Sequence, residues 1–117
     1  MTKVKMTTNG EELVADFNDS DTAKNIIAKL PLDLNMMNLY SRELTYRFSE
    51  SLPAKKAKTS GYEVGDIAYW APRHSFVIFY KQTGEVISDL QKIGHINSDI
   101  SFMNKAGDLK MNFELLK

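Results

Sequence analysis

The sequence predicts a mainly β fold: a closed barrel of about eight short strands, with one or two short helices at its ends. Three observations carry this reading. Short alternating runs recur along the chain, separated by turn residues. An Asn-Gly pair joins the first two runs in a register that puts apolar partners opposite each other. The runs Gly65–Pro72 and Phe76–Tyr80 are too apolar for a sheet with one wetted face, so both faces must be covered.

The elements follow in order. Lys3 to Thr8 alternates, with Val4 and Met6 on one face. Asn9-Gly10 is the preferred pair for a two-residue type I′ turn, and Glu12 to Phe17 alternates again. A two-residue loop fixes the register: Thr8 opposite Glu11, Met6 opposite Leu13, Val4 opposite Ala15. Ser20 then reads as a helix N-cap, with Asp21 in the first turn where the helix dipole favours an anion. Ala23, Ile26, Ile27 and Leu30 recur at helical spacing, and Pro31 stops the helix.

Leu32, Leu34 and Met36 alternate as a strand, Asn38 to Glu43 is turn-like, and Leu44, Tyr46 and Phe48 form the next strand with Arg47 on its other face. Ala54 to Gly61 reads as a loop carrying Lys55, Lys56 and Lys58. The two apolar runs make a hairpin. Gln91 to Ile96 is a strand in which Gly94 marks a bulge or a close backbone approach. Ser98-Asp99 starts a helical turn that ends near Gly107, and Leu109, Met111, Phe113 and Leu115 alternate as a terminal strand.

Composition limits the function. The 117 residues fit one domain, 1–117, large enough for a core without staples. Lys and Arg number 15 and Asp and Glu 15, so no net charge draws the chain to nucleic acid or anionic lipid. The lysine loop lacks interleaved aromatics and reads as solvated. Cysteine is absent, which excludes thiolate nucleophiles and Cys-based metal sites. No run is apolar for long enough to span a bilayer as a helix, and the N-terminal residues contain no apolar signal region, so a cytoplasmic location is expected.

The ordered pieces carry a family likeness. A strand hairpin leads to Asp21-Thr22-Ala23 and then Leu30-Pro31-Leu32. Tyr46-Arg47-Phe48 runs to Ser51-Leu52-Pro53, and Tyr62-Glu63-Val64-Gly65-Asp66-Ile67-Ala68-Tyr69-Trp70 follows. Phe79-Tyr80 and Ile93-Gly94-His95-Ile96 complete the set. Over nearly its whole length the chain resembles the small, uncharacterised cyclophilin-like proteins of bacteria and archaea. The resemblance implies a closed eight-stranded cyclophilin-like barrel with helices at its open ends. It does not carry over the enzyme. True cyclophilins have a Phe-His-Arg strand, a Gln-Gly-Gly turn and an Asn-Gly-Ser-Gln-Phe-Phe strand around one groove. Here Tyr46-Arg47-Phe48 echoes only the first of these, and no Gln-Gly-Gly follows. Arg47 is the one candidate for an isomerase residue.

Other constellations are ordinary. His74 sits in a turn and His95 near a strand end, neither with a partner at metal-ligand spacing, so no metal or cofactor is expected. Asp66 reads as a turn residue whose carboxylate fixes the start of its strand. The aromatics are more informative. Tyr69-Trp70 and Phe79-Tyr80 are consecutive, so one member of each pair faces the interior and the other a groove or the surface. Tyr46, Phe48, Tyr69, Trp70, Phe76 and Phe79, with Arg73 or Arg47 at the rim, are the candidate ligand residues. They point to a non-catalytic binding module for a peptide or a small apolar or aromatic molecule. The alternatives are a diverged prolyl isomerase using Arg47 and a protein-interaction domain.

Overall fold

Asn9 and Gly10 both take positive φ, 50° and 76°, the conformation a type I′ turn requires. They join β1 (Thr2–Thr8) to β2 (Glu11–Phe17), and the pairing is the expected one, with Met6 opposite Leu13 and Val4 opposite Ala15. All four side chains are buried. The computed structural model describes residues 1–116.

Ser20 caps α1 (Asp21–Ile27): its hydroxyl accepts the Ala23 N–H at 3.2 Å. The helix is shorter than the apolar spacing suggests. After Ile27 the chain tightens into i→i+3 bonds, from Lys29 N–H to the Ile26 carbonyl and from Leu30 N–H to the Ile27 carbonyl. β3 (Leu32–Leu39) runs further than expected, and the turn into β4 (Glu43–Arg47) is confined to Tyr40 and Ser41 at positive φ, with Arg42 leading into the strand. The polar residue Asn38 is held in the β3–β4 pair opposite Leu44, so tertiary pairing overrides its turn preference.

The segment 54–61 corrects the sequence reading. It is not all loop: β5 (Lys58–Ser60) pairs antiparallel with β8 (Ile87–Ile96). β8 is also longer than its apolar pattern implied. Its first half, from Ile87, gains partners from β5 and from Trp70, which no periodicity within the segment reports. β6 (Asp66–Trp70) and β7 (Ser75–Phe79) form the expected hairpin, joined by a 3-10 turn at Ala71–Arg73 with His74 at φ 52°. The short helix α2 (Met103–Ala106) precedes Gly107 (φ 70°), and β9 (Leu109–Leu115) ends the barrel.

The strand order is β2-β1-β9-β3-β4-β7-β6-β8-β5, with β2 also pairing β8. Eight strands therefore close into a ring, and β5 hangs outside it on β8. Gly94 makes the closure possible. A Cβ there would lie 2.8 Å from the Asp16 carbonyl oxygen and 3.1 Å from the Phe17 ring. Next to it the β6–β8 register shifts between Ile67 and Ala68, a bulge that bends β8 toward β2.

Alternation then sorts the side chains. Phe17, Leu44, Ile67, Tyr69, Phe76, Ile78 and Phe113 fill the barrel, as an eight-stranded interior allows. The other faces of β6 and β7 are also buried. Ala68, Val77, Phe79 and Leu90 form a second apolar cluster outside the barrel with Tyr62, and half-buried Trp70 and Ile87 pack against it. This second cluster, lying under the chain from Lys81 to Ser88, explains why both strands read as continuously apolar.

Candidate outer-face cavity

The outer face of β4, β7, β6 and β8 holds its side chains in cross-strand rows. Arg47 lies opposite Ser75, Ser75 opposite Trp70, and Trp70 opposite Leu90. The next row sets Thr45 against Val77 and Ala68, and beyond it Glu43 faces Phe79. Small side chains occupy the middle of this face and large ones its margins. The result is a hollow of about 560 Å3, floored by Ser75 and Val77 and walled by Arg47, Trp70 and Phe79.

Residues 85–88 pass over one side of the hollow as a strap. Three anchors hold it. Tyr62 stacks on Phe79, with ring centroids 4.0 Å apart, and its hydroxyl accepts the Thr83 N–H at 2.9 Å. The Trp70 indole N–H donates to the Ser88 carbonyl at 2.9 Å. Arg42 bonds the Glu85 carboxylate at 2.9 Å. The strap therefore has fixed ends and an exposed middle, with Val86 67% accessible.

The charges balance in number but are not evenly paired. Glu43 is 5% exposed and is satisfied from two sides, by Arg42 and by the Thr45 hydroxyl. Arg42 lies between Glu43 and Glu85, and its guanidinium also sits over the Tyr40 ring at 5.0 Å. Burial alone would lower the Arg42 pKa, but the hydrogen bonds and charges of the two carboxylates outweigh it and raise the value. The Thr83 hydroxyl and the Arg42 charge hold the Glu85 pKa below the usual carboxylate range. Arg47 has no such partner among the described residues. Its Nε is buried and, among the described residues, meets no hydrogen-bond acceptor.

The sequence-predicted site residues divide by strand parity. Arg47, Trp70 and Phe79 line the hollow. Tyr69 and Phe76 are fully buried inside the barrel, where the Tyr69 hydroxyl accepts the Leu52 N–H at 2.9 Å. Tyr46 and Phe48 are half-buried on the barrel side, edge to face with centroids 5.2 Å apart. Arg73 is exposed on the 3-10 turn, away from the hollow. The consecutive pairs split as alternation requires: Tyr69 and Tyr80 face inward, Trp70 and Phe79 outward. Arg42, Glu43, Val77 and Leu90 also line the hollow and were not anticipated. Parity with Phe79 could have found Val77. Nothing in the local pattern marks Leu90 or the Arg42–Glu85 link, which join distant segments.

Residues 6–115 match the profile of the cyclophilin-like family. The chain belongs to that family. Among solved structures, this cyclophilin-like chain is similar to a hypothetical protein from the archaeon Archaeoglobus fulgidus, known by a solution structure. The two are 17% identical with a TM-score of 0.76, over 98% of this chain and 95% of the other. That likeness establishes the barrel. No curated protein matches the cyclophilin-like chain.

The cyclophilin-like barrel has two further polar features. His95 and Lys92 both reach Asp66, at 2.8 Å and 3.2 Å, and the Glu63 N–H donates to the same carboxylate at 2.9 Å. His74 holds its left-handed turn with Nδ1 3.3 Å from the Phe48 carbonyl oxygen. No group of three or more metal-ligating side chains gathers among the described residues, and none of the described helices is long and apolar enough to cross a membrane.

Proposed function

We propose that the hollow on the outer face binds a peptide or a small apolar or aromatic molecule, and that the protein is a binding module with no chemistry of its own. One observation carries this reading. Trp70 and Phe79, together with Val77 and Leu90, put apolar surface around a preformed space of about 560 Å3 that folding leaves open. Cavities of roughly 300–1,000 Å3 suit small ligands, and a few placed polar groups among apolar walls give them orientation. Exposed Tyr40 and Val86 extend the apolar lining to the rim, where a longer peptide would continue. The test is a titration with aromatic fragments and proline-containing peptides, read by Trp70 fluorescence and amide chemical shifts. Ligands of this site would shift the amides of β6, β7 and residues 85–88. If no member of either set moved those signals, the reading would fail.

A second reading has its own support. Prolyl isomerisation needs an Arg near the proline nitrogen and an apolar pocket for the ring, to favour the twisted amide over the planar one. Arg47 shares the hollow with Phe79 and Trp70. A protease-coupled assay on a proline-containing peptide, comparing wild type with Arg47→Ala, separates the two. Rates above background that fall in the variant would make this an isomerase. Equal or background rates leave the binding module.

A further inference from the structure

We infer that the occupant of the outer hollow is a monoanionic aromatic molecule whose carboxylate is held by Arg47. This deepens the binding reading above and rests on it. The charged side chains of the hollow are unevenly paired. Arg42, Glu43, Arg47 and Glu85 line it. Arg42 is spent on the two carboxylates, through its ion pairs to Glu43 and Glu85. Glu43 is further satisfied by Thr45, and Glu85 by the Thr83 hydroxyl at 2.8 Å. Two cations and two anions balance in number, but of the four Arg47 alone forms no ion pair among the described residues.

Arg47 is also the group with an unmet hydrogen bond. Its Nε is buried without an acceptor. A buried donor left unpaired is costly, and the planar guanidinium fork matches a carboxylate through two parallel N–H···O bonds. Ser75, opposite Arg47, is 1% exposed and its hydroxyl is turned to the Arg73 carbonyl at 3.3 Å. A carboxylate in the hollow would meet the guanidinium as a whole, the charge that no acidic group among the described residues pairs.

The rest of the ligand follows from the row Arg47–Ser75–Trp70. Arg47 and Trp70 stand two strands apart, roughly 10 Å at the usual interstrand spacing, with only Ser75 between them. A flat ring would cover Ser75 and Val77 and lie against Trp70 and Phe79 while its acid group meets Arg47. The buried Glu43 beyond Val77 disfavours a second anionic group at that end, so a single charge fits best.

The experiment uses 2-naphthoate and its neutral amide, 2-naphthamide, titrated against the full chain and read by amide chemical shifts. In wild type the acid should bind at least ~10-fold more tightly, the scale of one charge-assisted contact. Arg47→Gln should abolish that preference and bring acid and amide to similar affinity. Added salt should weaken the acid and not the amide. Equal affinity for acid and amide in wild type would overturn the inference but leave the binding reading standing. So would a preference that survives Arg47→Gln. Silence from both probes at millimolar concentration would overturn the inference and count against the binding reading as well. Should Arg47→Gln fail to fold, the acid-to-amide ratio of wild type at low and high salt decides.

Discussion

His95 Nδ1 lies 2.8 Å from Asp66 Oδ1, between residues directly opposed across β6 and β8. The pair sits beside Gly65, where a Cβ would come within 2.6 Å of the Ile96 carbonyl oxygen. Backbone and side chains thus clamp the start of β6 to the end of β8, close to where β8 turns to β2 and closes the ring.

This clamp makes stability depend on acid. Burial alone would raise the Asp66 pKa, but the Glu63 N–H, His95 and Lys92 together outweigh it and hold it below the usual carboxylate range. A carboxylate with a depressed folded-state pKa stabilises the fold above its unfolded value, and that contribution is lost as pH falls through the folded one. Asp66→Asn should therefore lower stability by about 1–2 kcal/mol at pH 7, with the gap to wild type closing below about pH 4. Thermal unfolding from pH 3 to 8 checks this. A gap that stayed constant across the range would assign Asp66 a purely steric role.

Gly94→Ala should strain the closing seam. The added methyl meets backbone at 2.8 Å and the Phe17 Cα at 3.3 Å, neither of which can swing aside. Overpacking of this kind costs about 1–3 kcal/mol. Urea unfolding gives the number, and amide exchange should speed up first at Ala15–Phe17. Wild-type stability in the variant would mean that β2 and β8 are free to separate there.

Trp70→Phe keeps an aromatic wall and removes the indole N–H that holds the Ser88 carbonyl. One hydrogen bond of about 1 kcal/mol corresponds to roughly fivefold in local opening. Amides of residues 85–88 should exchange faster by that factor, while those of β1 and β9 remain unchanged. Uniform acceleration across the chain would instead place Trp70 in the global core.

Phe76→Ala and Phe79→Ala should part company despite their nearness in sequence. Phe76 is buried inside the barrel against Phe113, with ring centroids 5.3 Å apart, and its truncation should cost about 3–5 kcal/mol. Phe79 belongs to the outer cluster, so its loss should also enlarge the hollow and free Tyr62. Denaturation measures the first effect. A changed affinity for aromatic probes in Phe79→Ala, with the barrel amides in place, measures the second.

Much of the barrel is written in local pattern. The Asn9-Gly10 turn, the register of β1 against β2, the Ser20 cap and the alternation of β9 each depend on residues close in sequence. The split of Tyr69 from Trp70 and of Phe79 from Tyr80 follows from alternation alone. The strap, β5 and the first half of β8 do not, because each is fixed by partners far along the chain: Lys58 by Leu90, Trp70 by Ser88, Arg42 by Glu85. For the same reason the outward turn of Trp70 and Phe79 was legible, but not the Arg42 pairing with Glu43 and Glu85 that leaves Arg47 by itself. Tyr46 and Phe48 flank Arg47 in sequence, and only the choice of inner face separates them from it.

The placement of β5 outside the ring bears on how the molecule behaves when concentrated. Eight strands have a neighbour on each side, whereas Lys58–Ser60 pairs with β8 alone and keeps one flank unpaired. A row of free amides and carbonyls is what recruits further chains into fibrils, and here that row is three residues long and led by a lysine. Two extended segments this hydrophobic would be hazardous at a sheet margin, yet β6 and β7 are flanked on either side and offer aggregation no template.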